Sequence, residues 1–466
     1  MYPHTGLVGL SLEAQTIMAI VHFVAVSDYK DGHIKFNESH HAYSDGLCDA
    51  EVKLAAPNTP LYEVKWQAQQ ALNCHLDVLV RASGCRLREA STLEELGIKD
   101  GETLSAATLR RPPPVNRLAH AFALPRRDGS LVVWGNRSLG GDCSDVQEQL
   151  KEVEDVIFSH AAAAARLANG GVVTWGDKRY GADSRAVQTE LCDVRDIRAS
   201  YDAFAALRSD GRVVTWCGRD RSACVDHLRG VRLLASARYA FAAVLEEGGK
   251  VVAWGDVKQG GDVGAAAEDL VDICQIEATS SAFAARRSDG VVIPWGEATS
   301  GGDPGPLQGV LRRGGFCDIQ GSGKAFAAIH REDGSVVTWG SCEGGCGQRR
   351  VQSIAATSFS FAALLIDGSV EAWGNLRYGG AVDVQKDLQE VVQLAGNGGA
   401  FAALRSDGRV VVWGHPDYGG EEDCSNLTDV RELRATYGAF AAICGDGTVV
   451  TWGDPVEGGG SSFCWG

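Results

Sequence analysis

The chain has 466 residues, 45% apolar and 22% charged, with 58 glycines against 12 prolines and a formal net charge of −16. That length exceeds one ordinary core and asks for two or more units. The charge excludes the basic footprint that nucleic acid or an anionic membrane requires. The 14 cysteines contain no Cys-x-x-Cys, and no Cys/His spacing suits tetrahedral zinc. They read as reduced thiols of a cytoplasmic or nuclear protein, with no metal and no cofactor. Residues 1–18 have no basic segment and no small-residue cleavage site, so no secretory signal is expected. Leu7 to Val26 is apolar but carries Glu13, Gln15 and His22, which argues against a membrane span.

Residues 19–110 form one predicted unit. Ile20 to Val26 reads as a strand, residues 27–48 as a long polar loop, and Glu51 to Ala55 as a second strand. Thr59-Pro60 opens a helix that places Leu61, Val64, Ala68 and Leu72 on one face. Leu76 to Val80 is a strand, Ser91-Thr-Leu-Glu94 offers a capping box, and Gly101 starts the last strand. Residues 111–116, with Pro112 to Pro114, read as a semi-rigid linker.

This order resembles the ubiquitin-like (β-grasp) α+β fold. The strings that carry it are Leu79-Val-Arg-Ala-Ser-Gly-Cys-Arg-Leu87 and Thr92-Leu-Glu-Glu-Leu-Gly-Ile-Lys-Asp-Gly-Glu-Thr-Leu104. The resemblance implies an apolar docking patch on the sheet, to which Leu79, Val80 and Leu104 would contribute. Ser105 and Ala107 stand where ubiquitin has larger groups. The end, Leu109-Arg-Arg-Pro-Pro-Pro114, has no Gly-Gly, so conjugation through it is not expected.

Residues 117–466 are repetitive, and repeats are the first thing to seek in a long chain. Trp recurs at Trp134, Trp175, Trp216, Trp254, Trp295, Trp339, Trp373, Trp413 and Trp452, in steps from 34 residues (Trp339 to Trp373) to 44 (Trp295 to Trp339). Gly follows each Trp except Trp216, where Cys217 stands. A Phe precedes the Trp by 12 or 13 residues in every repeat except the second, which has Ala161 to Ala165 there. Ala400-Phe-Ala-Ala-Leu-Arg-Ser-Asp-Gly-Arg-Val-Val-Val-Trp-Gly414 shows the plan: an apolar strand, an Asp-Gly turn, and a β-branched strand. A second turn follows, as in Tyr418-Gly419-Gly420. Then come a polar connector with room for one or two helical turns and a third strand. One such unit cannot bury both faces of its sheet. Stacking is expected to bury Phe and Ala against the next unit's Trp and Val, with the indole N–H finding a loop carbonyl.

The Phe-Ala-Ala-Leu-x-x-Asp-Gly-x-Val-x-x-Trp-Gly string resembles the repeat of the regulator-of-chromosome-condensation family, whose members form β-propellers. The repeats here number nine, not the family's usual seven, and are short, which makes them similar to compact members such as a bacterial β-lactamase-inhibiting propeller. A closed nine-bladed ring, a seven-bladed ring with two extra units and an open superhelix are the alternatives. A single closed ring is favoured because it removes sheet edges. The expected fold class is therefore mainly β: a β-propeller of about nine short repeats behind a small ubiquitin-like domain.

No catalytic constellation is spelled out. Gly321-Ser-Gly-Lys324 has the look of a phosphate loop, but Asp318 and Ala325 break the spacing and a strand follows instead of a helix. Asp142, Asp183, Asp262 and Asp303 recur after the turn glycines and read as caps of the connector, not as a calcium site. The expectation is a non-catalytic, monomeric protein-interaction scaffold. Its connector rim would carry specificity through Lys178, Arg179, Lys258 and His415. The family resemblance implies two partner classes: components of the ubiquitin system, as for the propellers of HECT-type ligases, or a small GTPase under nucleotide exchange. The chain ends straight after the ninth repeat, so an adaptor without the ligases' catalytic domain is expected. A structural repeat protein with neither role is the bland alternative.

Overall fold

The computed structural model describes residues 18–25, 28–30, 33–35, 49–53, 78–81, 92, 94–98, 103–108, 118–126, 129–217, 228–342, 344–345, 349–381, 387–460 and 462–464. The chain divides into two compact units, Met1–Arg111 and Pro112–Gly466.

In the first unit β1 (Met18–Ala25), β4 (Asp49–Lys53), β5 (Val78–Arg81) and β6 (Thr103–Thr108) form one sheet in the order β4-β1-β6-β5. β1 runs parallel to β6, and the two outer strands are antiparallel to their neighbours. The polar stretch expected as a loop contains a short hairpin instead, β2 (Asp28–Lys30) on β3 (His33–Lys35), with Tyr29 opposite Ile34. Backbone pairing satisfies N–H and C=O groups whatever the side chains, so even a polar segment can form a ladder. The capping box forms one residue later than expected. The Glu95 N–H donates to Thr92 Oγ1 (3.2 Å) and the Thr92 N–H to Glu95 Oε2 (3.0 Å). Both Ser91/Glu94 and Thr92/Glu95 have the required spacing. The turn begins at Thr92, whose carbonyl accepts from the Leu96 N–H. The expected helix at 59–72 and the proline linker lie outside the described residues.

The second unit is a ring of nine small antiparallel sheets. The third repeat is representative, with an inner strand Val194–Ala199, a middle strand Ala203–Arg208 and an outer strand Val213–Cys217. Side chains tie successive inner strands together: Arg195 Nη2 donates to the Val231 carbonyl (3.1 Å), and Gln393 Nε2 to the Leu433 carbonyl (2.9 Å). The first repeat contributes two described strands, Ala121–Pro125 and Leu131–Gly135. The ninth gains a fourth, Ser462–Cys464, on its outer edge. Connector side chains cover other outer edges, as where Gln188 Nε2 donates to the Val172 carbonyl (3.0 Å), which blunts edge-to-edge pairing.

The core sits between blades. Phe stacks on the Trp of its own repeat, not on the next unit's Trp as expected. Phe204 lies opposite Trp216 across the hairpin, with ring centroids 5.2 Å apart. Directly opposed residues of an antiparallel pair share a face, so both rings project toward the preceding blade. There Ala162 and Ala164 receive them. The alanines let the sheets approach closely, and burying one such Phe contributes about 1.5–3 kcal/mol.

Asp-Gly turns close the other end of the hairpin in seven repeats, with Asn169-Gly170 in the second and Glu247-Gly248 in the fourth. Gly408 has φ +80°, and a Cβ there would lie 2.9 Å from the Asp429 nitrogen. Its carbonyl accepts from the Val430 N–H as the next inner strand begins (3.0 Å). Asp429 itself holds φ +56°, and Glu152, Asp193, Asp272 and Glu390 also have positive φ at the same point of their repeats.

Closure is explicit. In the ninth-to-first contact Phe122 and Leu124 pack on Ala439, Ala441 and Ile443, with Trp134 against them. This repeats the packing between chain-adjacent blades. The ring therefore has nine blades and no open superhelical end.

Candidate functional site: an aromatic arc at one end of the ring

In seven blades the inner and middle strands meet in a tight turn that a buried polar side chain organises, while the fourth has Ala237 there. Ser159, Ser200, Thr279, Ser322, Thr357, Asn397 and Thr436 are almost wholly buried. Each accepts the N–H three residues on, as where Thr436 Oγ1 takes the Ala439 N–H (3.1 Å). Several reach on to the turn after Trp-Gly in the same blade: Ser159 Oγ donates to the Tyr180 carbonyl (2.8 Å) and Asn397 Nδ2 to the Tyr418 carbonyl (2.8 Å). Ser322 belongs to this set, which accounts for the phosphate-loop look of Gly321–Lys324 without a phosphate.

The next residue of each turn bonds its counterpart in the following blade. His160 N–H donates to the Tyr201 carbonyl, Tyr201 to Arg238, Arg238 to Ser280, Ser280 to Gly323, Gly323 to Ser358, Ser358 to Gly398, Gly398 to Tyr437, and Tyr437 to Ala119. These eight backbone bonds link the blades in series from the second round to the first, crossing the seam between the ninth and first repeats. They fix the height of every turn, so the side chains beside them share one end of the ring.

Those side chains are aromatic over seven consecutive blades. From His120, rings continue through His160 (5.1 Å) to Tyr201 (4.4 Å, stacked) and Tyr239 (5.3 Å). Across the seam they continue through Tyr437 (5.6 Å), Tyr418 (5.7 Å), His415 (5.4 Å), Tyr378 (5.7 Å) and Phe359 (4.8 Å). Tyr180 packs on both His160 and Tyr201. The fifth and sixth blades interrupt the arc with Ser280-Ser281 and Gly323-Lys324.

Charge is distributed unevenly along it. The Arg238 guanidinium lies over Tyr201 (4.9 Å) and Tyr239 (5.7 Å). Across the seam, Glu457 accepts from His120 Nδ1 through Oε1 (2.7 Å), while its Oε2 is buried without a hydrogen-bond partner. Burial, and then His120 and Arg238, hold the His160 imidazole below its ordinary pKa. Burial, and then the hydrogen bond to Tyr437, push the Tyr418 hydroxyl up.

The connector rim lies at the same end, because each Trp-Gly strand finishes there. Lys178, Arg179 and Lys258 sit on single 3₁₀ turns, Lys178–Tyr180 and Val257–Gln259. Arg179 pairs with Asp177 (2.5 Å). His415 differs from the other three rim residues. It is buried, and its Nδ1 accepts the Asp417 N–H to cap the turn Pro416–Tyr418 (3.2 Å). The residue after Trp-Gly is the cap in other repeats too, with Asn136, Asp177, Asp256, Asn375 and Asp454. Asp142, Asp183, Asp262 and Asp303 each accept an N–H two residues on. Among the described residues no acidic, His or Cys group has the makings of a metal site. Leu79, Val80 and Leu104 sit in the sheet of the first unit, with Leu79 opposite Ala106, Val80 opposite Ser105 and Leu104 opposite Arg81. The repeat tryptophans serve the blade contacts. Trp175, Trp216, Trp295, Trp339 and Trp413 donate to carbonyls of Gly140, Gly181, Gly260, Gly301 and Gly379 in the preceding repeat, at 2.9–3.1 Å.

Sequence reading missed the arc. Its members occupy two positions per repeat, the turn after the inner strand and the residues around the turn after Trp-Gly. Each position is aromatic in only some repeats, so neither stands out along the chain.

No protein-family model and no curated protein matches the chain. Solved structures give distant likenesses. The ectodomain of the Physcomitrella patens receptor kinase CR4 is 15% identical over 55% of this chain and 70% of its own (TM-score 0.39). Prp20p from Saccharomyces cerevisiae, a protein with binding properties to Gsp1p and histones, is 16% identical over 73% and 81% (TM-score 0.36). The computationally designed Ika8 protein is 15% identical over 71% and 88% (TM-score 0.33). The chain's own strand pairing and ring contacts define the fold of its second unit as a nine-bladed β-propeller with repeats similar to those of the regulator-of-chromosome-condensation proteins.

Proposed function

We propose that the chain is a non-catalytic protein-binding scaffold that engages its partner through the aromatic arc. The arc carries this reading. Tyr and His rings, contiguous over seven blades, offer apolar area at low entropic cost and a polar tip to each ring, the composition enriched in protein interfaces. The connector turns with Lys178, Arg179 and Lys258 border the same end and would form the polar rim of the contact.

A role for the first unit as a ubiquitin-like recruiter fits the strand order β4-β1-β6-β5 with parallel central strands, the order a β-grasp sheet adopts. On that reading the protein is an adaptor that holds a client on the propeller and a ubiquitin-system partner on the first unit. The free thiols among the described residues suit a reducing compartment, the cytoplasm or nucleus.

The test is affinity capture with the full chain from extracts of its source. The wild type would be compared with an arc variant (Tyr201→Ala with Tyr239→Ala) and a variant of the opposite end (Arg212→Ala with Arg409→Ala). Loss of the captured proteins in the arc variant alone is expected. Retention there with loss in the other variant would overturn the reading. Captured ubiquitin-system proteins would support the adaptor role, and a captured small GTPase would replace it with exchange.

A further inference from the structure

We infer that the seam of the arc is a pocket for a cationic side chain, an arginine or lysine presented by the partner. This rests on the arc being the binding face. Three observations converge on it. First, Glu457 replaces the tyrosine that stands before the turn glycine at Tyr180, Tyr378 and Tyr418, so a carboxylate enters the arc at the seam. One of its oxygens is held by His120 at 2.7 Å, and the other is buried with no donor. A buried carboxylate oxygen without a donor is costly and favours any cation that can reach it.

Second, the neighbours are the faces and edges that suit a cation. Tyr437 lies 5.6 Å from His120 and 5.7 Å from Tyr418, ring to ring. Gly438 gives the carboxylate its room, since a Cβ there would lie 2.8 Å from Oε2. Aromatic rings around a carboxylate attract guanidinium and ammonium groups through the ring quadrupole and the charge together.

Third, the far flank of the arc already holds the same kind of contact internally, with Arg238 over Tyr201 at 4.9 Å. Among the described residues no guanidinium lies over Tyr418 or Tyr437. The arc is thus occupied by its own cation at one flank and has a carboxylate in place of one at the seam. The net charge of −16 would steer a basic partner segment toward it.

The probe is a pentapeptide, acetyl-Gly-Gly-Arg-Gly-Gly-amide, titrated into the full chain and followed by shifts of the tyrosine and histidine ring resonances. Its citrulline counterpart, of the same shape without charge, is the control. The arginine peptide is expected to shift His120 and Tyr437 signals and to bind at least about fivefold tighter than the citrulline peptide. Glu457→Gln, which keeps an acceptor for His120, should abolish that preference in a protein that still melts cooperatively, and Tyr437→Phe should keep most of it. Equal binding of the two peptides, or an unaltered preference in Glu457→Gln, would overturn the pocket. If Glu457→Gln captures the same proteins that Tyr201→Ala with Tyr239→Ala loses, the pocket fails and the arc stands. If neither variant loses them, the arc itself fails.

Discussion

The indole N–H of Trp134 donates to the carbonyl of Gly458, 324 residues later in the chain, at 3.3 Å. It is the bond that Trp175 makes to Gly140 and Trp216 to Gly181, only 35 residues apart in each case. The ninth blade therefore meets the first as the first meets the second. The contact is a repeat interface that happens to join the two ends of the propeller unit, so breaking it should open the ring without disturbing any blade internally.

The indole bond can be weighed by an internal comparison. Trp216 donates to Gly181 at 2.9 Å, whereas Trp452 is buried too but its Nε1 has no partner. Trp216→Phe leaves a buried carbonyl unsatisfied and Trp452→Phe does not. Urea unfolding should show Trp216→Phe more destabilising by about 1–3 kcal/mol. Equal losses would mean that the indole contributes through volume alone.

The second repeat has exchanged its Phe across the hairpin. Ala163 occupies the middle-strand Phe position, and Phe158, directly opposite on the inner strand, fills the same space against Trp175. Phe158→Ala should cost about 3–5 kcal/mol. Adding Ala163→Phe should recover a large part of that in the same urea series, while Ala163→Phe alone should destabilise by overpacking.

Two glycines separate backbone need from mere tolerance. Gly408→Ala forces a side chain into φ +80° and onto the Asp429 backbone, and should lower stability by more than about 1 kcal/mol. Gly309 lies in the short helix Gln308–Arg313, and a methyl group there would meet nothing within 4 Å. Gly309→Ala should raise stability by up to about 1 kcal/mol. Thermal melts of the two variants would move in opposite directions.

The cysteines should react unequally. Burial, and then Glu422 and Asp423, push the Cys424 thiol up to about 12, while Cys192 is exposed. Iodoacetamide at pH 8 should label Cys192 in the native protein within the time that leaves Cys424 unmodified, since the thiolate is the nucleophile. Peptide mass spectrometry before and after denaturation would read both sites.

Acid should loosen the connectors first. The hydrogen bonds from Arg185 hold Asp183 down at about 2, and Asp142 and Asp423 are lowered by their bonds to Ser144 and Ser425. Carboxylates depressed in the folded state stabilise it fully above their unfolded pKa near 3.8 and lose that contribution as pH falls through the folded value. The urea midpoint should hold down to about pH 4 and fall between about pH 4 and 2. Asp183→Asn, which keeps a capping oxygen, should make that fall shallower.

The blade was legible in the order of residues. Trp-Gly, the Asp-Gly turn and the Phe-Ala-Ala strand are local, and each follows from turn chemistry and period-two alternation. The hairpins stand where those signals put them, because positive φ at Gly408 and a β-branched strand beside it leave few other choices. The connector's short helical turns were legible for the same reason. The capping role of residues after Trp-Gly, such as Asp177 and His415, was not legible there.

Packing between distant parts of the chain settled the rest. The number of blades in one ring depends on the small rotation between neighbouring sheets, which Ala162 and Ala164 beneath Phe204 set through packing and no single repeat encodes. Phe158 carried no signal until the strand register placed it opposite Ala163. The aromatic arc was invisible for a related reason: His120 and Tyr437 are 317 positions apart in the chain and become neighbours only when the ring closes. A carboxylate at Glu457 is ordinary in a connector. It becomes a partner for His120 and a candidate cation site because closure brings the first and ninth repeats together.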